Sequence, residues 1–592
     1  MKIINVLKNF TLIFSYLSLN RKRQIYVVVI LMAISSFLEV FSISMVIPFI
    51  TVLLDPSKLE NINKFFDFDS LISYFDFDNE RLFLTLLFVI AFVSSNLFKI
   101  FIIYLFNRIS RSIAADLNLK IFTHLLFNKY HLTIKENSSY RMSAMTEKVH
   151  YIINLFFNFF TFFSGLIILI FTLILFLFLK PTLTSLIFIL LVLIFVIISN
   201  FFNNRLLYLS KIIAKKISKK LMLIRETFGG LRQIILDKTQ GTYLSIFESE
   251  ETSLRKSEAI SNFFQMIPKF IVEIFGITLI VFSSYYLMHE EIYSTVELIT
   301  LLGFVGFAAI RLLPITTNMY QSYNYLLSTA EIINEFADYI KNKQTIKLIE
   351  NNKDLLNFES GIKFENIEFS YGGDSNFAVK NLNFDIKKNE KIGIIGETGS
   401  GKSTIIDILI GLLEPQSGNV LVDGKNLNQS NILSWQEKIS HVPQDIYLMD
   451  RSIAENIAFT MEKGEINQAA LNESIKLAEL SEFIKNLKEK ENTLIGERGI
   501  FLSGGQKQRI GLARAFYNQK EILILDEATS ALDIETEKKI IDNLSNKFRN
   551  LTIIQISHRI QTLKLTNKIL KFEKNRTLTI SKYEDEIKSI KN

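Results

Sequence analysis

Between residues 24 and 316 long apolar runs alternate with short polar stretches, and beyond Phe358 the pattern changes to short strands and turns. Six of the runs reach the length of about 20 residues that a bilayer-spanning helix needs. They lie near 24–54, 82–106, 151–179, 182–203, 263–288 and 293–316. Only Lys180-Pro181 separates the third from the fourth, which predicts a tight hairpin at one membrane face. Two polar stretches, roughly 107–150 and 204–262, keep a helical pattern with few breakers apart from Gly229-Gly230 and Gly241. The flanking spans are therefore predicted to continue as helices outside the membrane. In the second half, Phe364 to Tyr371 alternates, and Lys391–Ile395, Ile522–Leu525 and Thr552–Ile556 read as buried strands. The expected organisation is an all-α membrane bundle over 1–335, a linker over 336–357 and an α/β domain over 358–592.

Composition agrees. With 49% hydrophobic residues, 52 Phe and a mean hydropathy of +0.26, a chain of 592 residues is too apolar to be a soluble protein throughout. The absence of cysteine excludes disulfides and thiolate-held metals. The formal charge of +7 would suit nucleic acid, but its placement points elsewhere. Arg205 to Arg225 holds seven Lys or Arg and no acid, whereas Asp55 to Glu80 holds seven acids and two lysines. Basic loops stay in the cytoplasm, and Arg21-Lys22-Arg23 before the first span agrees, so both termini are expected inside. The charge then serves topology and anionic lipid, and no nucleic-acid partner is expected. The N-terminus reads as amphipathic rather than as a cleavable signal. Phe65, Phe66, Phe68, Leu71, Ile72, Tyr74 and Phe75 in the acidic loop suggest an element lying at the outer interface.

Ionisable side chains inside spans are costly and call for a functional reading. Here they are Glu39, Lys99, Lys269, Glu273 and Arg311. At about 1.5 Å rise per residue, Lys99, Lys269 and Arg311 all fall at one level in the inner half of the membrane. They form either structural ion pairs with Glu39 and Glu273, with Lys269 reaching to the surface, or a cationic belt for an anionic head group.

The chemistry of the second half centres on Gly396-Glu397-Thr398-Gly399-Ser400-Gly401-Lys402-Ser403-Thr404, between an expected strand and an expected helix. In that context the glycines let several backbone N–H groups converge on one anion, and the helix adds the positive end of its dipole. Lys402 offers a charge for the outer phosphates and Ser403 a hydroxyl for Mg²⁺. Tyr371 is placed to stack on a base. Downstream come Gln444, Gly496-Glu497-Arg498-Gly499, Leu502-Ser503-Gly504-Gly505-Gln506, Asp526-Glu527, Ser530-Ala531-Leu532-Asp533 and His558. Four aliphatics before Asp526 place the two acids at a strand's carboxyl end, where Asp526 can hold Mg²⁺ and Glu527 can take a proton from an attacking water.

This series resembles the ATP-binding cassette of ABC transporters, and six spans followed by one cassette resembles an exporter-type half-transporter along essentially the whole chain. The resemblance implies a cytoplasmic P-loop cassette that hydrolyses ATP with Mg²⁺. It implies Tyr371 as the adenine-stacking aromatic, Gln444 as the Mg²⁺-sensing glutamine, Glu527 as the catalytic base and His558 as the switch histidine. Ser503, Gly504, Gly505 and Gln506 would close over the nucleotide held by a second cassette, with Asp533 at the seam and Glu497 against cytoplasmic loops. A homodimer is therefore implied, or a heterodimer with a related chain, in a bacterial inner membrane.

The first span, Phe37 to Ile50, together with Ile267-Pro268-Lys269-Phe270, Glu273 and Ile310-Arg311-Leu312-Leu313-Pro314, resembles bacterial flippases of lipid-linked oligosaccharides. That resemblance implies a polyprenyl-diphosphate glycan as cargo and Lys99, Lys269 and Arg311 as diphosphate contacts. Two of these positions are lysine where arginine is expected, which removes the bidentate fork. The alternatives are an exporter of hydrophobic small molecules, peptides or other lipids, and a non-transporting cassette ATPase, which six spans disfavour.

Overall fold

The computed structural model describes residues 10–55, 80–127, 130, 142, 145–179, 183–289, 295–341, 354–371, 377–460, 465–573 and 578–591. It divides into two compact units, Met1–Asn128 with Ile134–Ile346, and a second that contains Lys347–Asn592.

The first unit is helical. In order, the elements are α1 (Leu19–Ser44), α2 (Val46–Leu54), α3 (Glu80–Phe127), α4 (Glu147–Leu179), α5 (Leu183–Gly229), α6 (Leu231–Leu236), α7 (Gln240–His289), α8 (Thr295–Ser328) and α9 (Ala330–Lys341). The predicted continuation of spans into polar excursions is seen in α3, α5 and α7, which run for 48, 47 and 50 residues. The chain turns where glycine breaks the pattern, at Gly229-Gly230 between α5 and α6. The first apolar run is divided at Met45 into α1 and α2.

Four helical segments among the described residues are long and apolar enough to cross a membrane, Leu19–Leu54, Arg81–Phe127, Lys148–Leu175 and Ile299–Ser328. Only 17% to 44% of each apolar window is buried in the protein, so large side chains such as Ile30, Ile90 and Ile170 face outward. Outward apolar surface on this scale suits lipid as the solvent. The runs near 182–203 and 263–288 are helical too, within α5 and α7, but many of their side chains lie outside the described residues, as do the Lys180-Pro181 hairpin and the acidic outer loop. Inside, α1 packs on α3 and α4, and α5 on α7. The basic face of α5 is partly consumed by acids of α7: Lys219 pairs with Glu250, and Lys220 with Glu251 at 2.7 Å. Part of the charge assigned above to topology therefore also joins two helices.

The second unit has two sheets. One is antiparallel, in the order β2 (Phe377–Lys387), β1 (Gly361–Ser370), β4 (Ser417–Val422), β5 (Lys425–Asn426). The other runs β10 (Leu578–Lys582), β9 (Lys568–Phe572), β3 (Lys391–Gly396), β8 (Thr552–Ile556), β7 (Ile522–Asp526), β6 (Ile439–Val442). Its strands are parallel except β10. Strand β8 lies between β3 and β7, so the segments leaving the carboxyl ends of all three emerge side by side. In open α/β sheets that edge is where ligands bind. Helices α10 (Lys402–Leu409), α11 (Gly504–Asn518) and α12 (Ile534–Lys547) complete the frame of the site.

Candidate functional site: a phosphate loop facing two carboxylates

β3 delivers the chain into Gly396 and α10 carries it away from Lys402, with the loop between. Gly399 and Gly401 hold φ of +82° and +97°, which side chains disfavour. A Cβ on Gly401 would also lie 2.6 Å from the Ala378 carbonyl oxygen, so glycine is required there twice over. Lys402 is buried, and its Nζ donates to the carbonyls of Gly396 (2.7 Å) and Glu397 (2.8 Å). Burial lowers its pKa, against the raising effect of the Glu527 and Asp526 charges. Ser400 Oγ is buried without a partner among the described residues, a polar atom that a bound anion would satisfy. Ser403 is exposed at the first turn of α10. Tyr371, half exposed, shares a hydrogen bond between its hydroxyl and Thr404 Oγ1 (3.2 Å), and its ring meets Phe369 edge-on at 5.0 Å.

Asp526 ends β7 and Glu527 follows it. Burial, then the adjacent Glu527 charge, raises the Asp526 pKa, with Lys402 and His558 opposing. Two distant chain segments converge on the Glu527 carboxylate. Gln444 Nε2 donates to its Oε2 at 2.9 Å, and His558 Nε2 lies 2.9 Å from its Oε1. His558 gets there because β8 ends two residues earlier, between β3 and β7. Glu527 itself has φ +50°, an uncommon conformation for a side-chain-bearing residue, with its N–H bonded to the Ile556 carbonyl (3.2 Å). Carboxylates and a lysine facing an anion cradle fit a nucleotide with Mg²⁺. No group of three or more His, Cys, Asp or Glu among the described residues holds a metal by itself, and Mg²⁺ typically takes one or two carboxylates plus phosphates.

Ser503 caps α11 in a reciprocal pair with Gln506: Ser503 Oγ accepts from the Gln506 N–H (3.3 Å), and Gln506 Oε1 accepts from the Ser503 N–H (2.9 Å). Asp533 caps α12 by accepting from the Thr536 N–H at 2.8 Å, the bond that chiefly lowers its pKa. Two contacts near this site escaped the sequence reading. Gln508 bonds to the turn after Glu527, and Thr529 Oγ1 donates to Glu537 Oε1 at 2.6 Å. A signal for the first existed: Gln508 is the polar member of the buried face that Leu512, Ala515 and Phe516 define on α11.

In the membrane unit, Glu39 on α1 is 1% exposed and receives Lys99 Nζ of α3 (3.2 Å) and Arg311 Nη1 of α8 (3.3 Å). Ser95 Oγ adds a longer bond (3.4 Å), and Arg311 also donates to Asn96 Oδ1 (3.2 Å). The Arg311 guanidinium lies 4.1 Å from the Phe92 ring centre, and its Nη2 is buried without a hydrogen bond among the described residues. Lys99 and Arg311 are thus brought together on Glu39. Glu273 takes no part among the described residues, and the Lys269 side chain lies outside them.

Residues 379–530 match the family model described as ABC transporter. The chain is 42% identical over 212 residues to the alpha-hemolysin translocation ATP-binding protein of Escherichia coli, covering 36% of this chain and 30% of that protein. It is 41% identical over 233 residues to a leukotoxin export ATP-binding protein of Aggregatibacter actinomycetemcomitans, covering 39% and 32%. To the ATP-dependent lipid A-core flippase of Wigglesworthia glossinidia brevipalpis it is 32% identical over 387 residues, covering 63% and 64%. The chain thus spans about a third of the toxin-export relatives' length and 64% of the flippase's. In fold it is similar to a bacterial Atm1-family ABC exporter with ATP bound, at a TM-score of 0.76 and 20% identity, covering 96% of each chain.

Proposed function

From an ABC transporter domain carried on the fold of an ABC exporter, we propose that this chain is an ATP-driven membrane transporter working as a dimer. Residues 1–335 form its transmembrane half and 358–592 its cytoplasmic ATPase, in a bacterial inner membrane. The observation that carries the reading is the convergence of Gln444 and His558 on the Glu527 carboxylate, beside a glycine loop shaped for phosphate.

Bound ATP and Mg²⁺ supply the phosphoryl group and the charge that stabilises its transfer. The loop amides and Lys402 bind the phosphates, Ser403, Asp526 and Gln444 hold Mg²⁺, and Tyr371 stacks on the base. Glu527 takes the proton of the attacking water, with Gln444 and His558 fixing the direction in which its two oxygens point. Ser503 to Gln506 of a second copy close over the same nucleotide, and Asp533 lies at the seam. Closure favours the membrane arrangement that goes with it, and reopening after hydrolysis reverses the bias.

The cargo we infer is a lipid carrying an anionic head group, most specifically a polyprenyl-diphosphate-linked oligosaccharide moved from inner to outer leaflet. Two cations share one carboxylate at the Glu39 node, so it carries net positive charge, and Arg311 Nη2 makes no hydrogen bond among the described residues. The match to the lipid A-core flippase is longer than the second unit and so extends into the membrane unit, whereas the toxin-exporter matches are only about cassette-sized. The test is ATPase turnover in nanodiscs, expressed as stimulation by a polyprenyl-diphosphate oligosaccharide against hydrophobic dyes and peptides. Stimulation by the glycolipid, lost in Lys99→Gln/Arg311→Gln, supports the reading. Stimulation by dyes or peptides alone would replace it with export of hydrophobic molecules.

A further inference from the structure

Gln508 is 7% exposed, and its neighbours on the buried face of α11 are apolar. Packing alone would be served by leucine, yet the side-chain amide is fully engaged with a single turn. Its Nε2 donates to the Glu527 carbonyl oxygen (3.3 Å) and to Ser530 Oγ (2.9 Å), and its Oε1 accepts from the Ala531 N–H (2.8 Å). The turn so held is the one with positive φ at Glu527. The Glu527 N–H is fixed from the other side by the Ile556 carbonyl, so the base stands on a strained residue clamped at both ends.

The same side chain lies five positions after Ser503, within the first turns of the helix that Ser503 caps. A second contact tightens this join. Gly505 lies so close to the turn that a Cβ there would come 3.0 Å from the Ala531 carbonyl oxygen. Helix start and turn are therefore tied by three hydrogen bonds and by a backbone approach that a larger residue would open.

We infer that Gln508 is a positioning residue that makes the start of α11 and the turn bearing Glu527 move as one body. This rests on the dimer reading above, in which one chain supplies Glu527 to one ATP site and Ser503 to the other. Gln508 then couples the two sites through a single protomer: a shift of Ser503 at one site is passed to the base at the other.

The experiment uses full-length mixed dimers in nanodiscs, in which chain two carries Glu527→Gln. One live site remains, built from Glu527 of chain one and Ser503 of chain two. Gln508→Leu in chain one should lower kcat by about 10–100-fold, the size expected of a misplaced catalytic group, with the KM for ATP within about threefold. Gln508→Leu in chain two should also slow the live site, by raising KM or lowering kcat. Gln508→Glu keeps the acceptor for Ala531 and loses both donors, so it should show the same kcat loss in chain one with folding intact. Amide exchange gives a readout apart from turnover: the Ala531 N–H should exchange faster in Gln508→Leu, while Gln508→Glu should protect it. A live site unchanged by Gln508→Leu in chain two would overturn the coupling, and unchanged kcat with either variant in chain one would overturn the positioning. Ser503→Arg in chain two must silence the live site; if it does not, the shared-site reading fails whatever Gln508 does.

Discussion

Glu39→Gln removes the one carboxylate that Lys99 and Arg311 share. At separations of 3.2 and 3.3 Å and an effective dielectric of about 20, each pair attracts by roughly 5 kcal/mol before desolvation is counted. Lys99 is 35% exposed, so its share is discounted, whereas Arg311 at 11% and Glu39 at 1% are enclosed by protein. Removing one partner of a buried pair typically costs about 3–5 kcal/mol, because the remaining charge is left uncompensated. For a unit of some 300 residues that corresponds to roughly 5–8 °C in melting temperature. The assay is thermal unfolding of the full chain in nanodiscs for Glu39→Gln, Arg311→Gln and the double variant. Since the loss belongs to an orphaned cation, the double variant should be more stable than Glu39→Gln, with a coupling of about 1–3 kcal/mol. A loss below about 1 kcal/mol in Glu39→Gln, or strict additivity of the two changes, would refute the node.

Three further outcomes follow from the cassette. Burial lowers the His441 pKa to about 4 and its Nε2 has no hydrogen bond among the described residues, so the folded state resists the proton that the unfolded chain accepts. Its contribution is therefore whole above the ordinary value of 6.5 and is lost as pH falls toward 4, about 2 kcal/mol by about pH 5. Asp407, raised to about 6 by burial and then by Asp526, works in the opposite sense, so the test is the difference between wild type and His441→Leu: the variant should lose less stability between about pH 7 and about pH 5, and equal losses would contradict the assignment. Burial acts to raise the Asp423 pKa, but hydrogen bonds from Ser360 Oγ and the Gly361, Glu359 and Ser360 amides outweigh it and bring it down to about 2. Asp423→Ala should cost about 1–3 kcal/mol in denaturant unfolding of the cassette, and a neutral effect would show that water replaces those bonds. Trp435, the single tryptophan, is fully buried and donates to the Leu409 carbonyl (2.7 Å) at the end of α10. Its emission should shift as MgATP is titrated and stay constant in Lys402→Ala; a shift in both would mean that it does not report the phosphate loop.

Much of this architecture is legible in one sequence because it is local. The apolar runs, the glycine break at Gly229-Gly230 and the strand before Lys402 depend on neighbours in the chain. So does the order of motifs around Glu527. What sequence does not reveal is which distant groups meet. Lys99 of α3 and Arg311 of α8 meet on Glu39 of α1, a convergence of three distant segments that no local pattern announces. The basic run of α5 looked like a topology signal alone until the acids of α7 were found beside it. Asp533 invites a role at a seam, and within the chain it caps α12, since Asp suits both. Gln508 reads as one more polar residue after a glycine-rich motif, and only its burial against the Glu527 turn gives it meaning.

We propose that ATP turnover at Glu527 drives an anionic lipid across the bilayer. The most direct test is movement of a fluorescent polyprenyl-diphosphate oligosaccharide in proteoliposomes, read by quenching of outer-leaflet label. The wild type should show ATP-dependent transfer, Glu527→Gln none, and Lys99→Gln/Arg311→Gln a marked loss. No glycolipid transfer by a wild type that exports a hydrophobic dye, or equal transfer with and without Glu527, would contradict it.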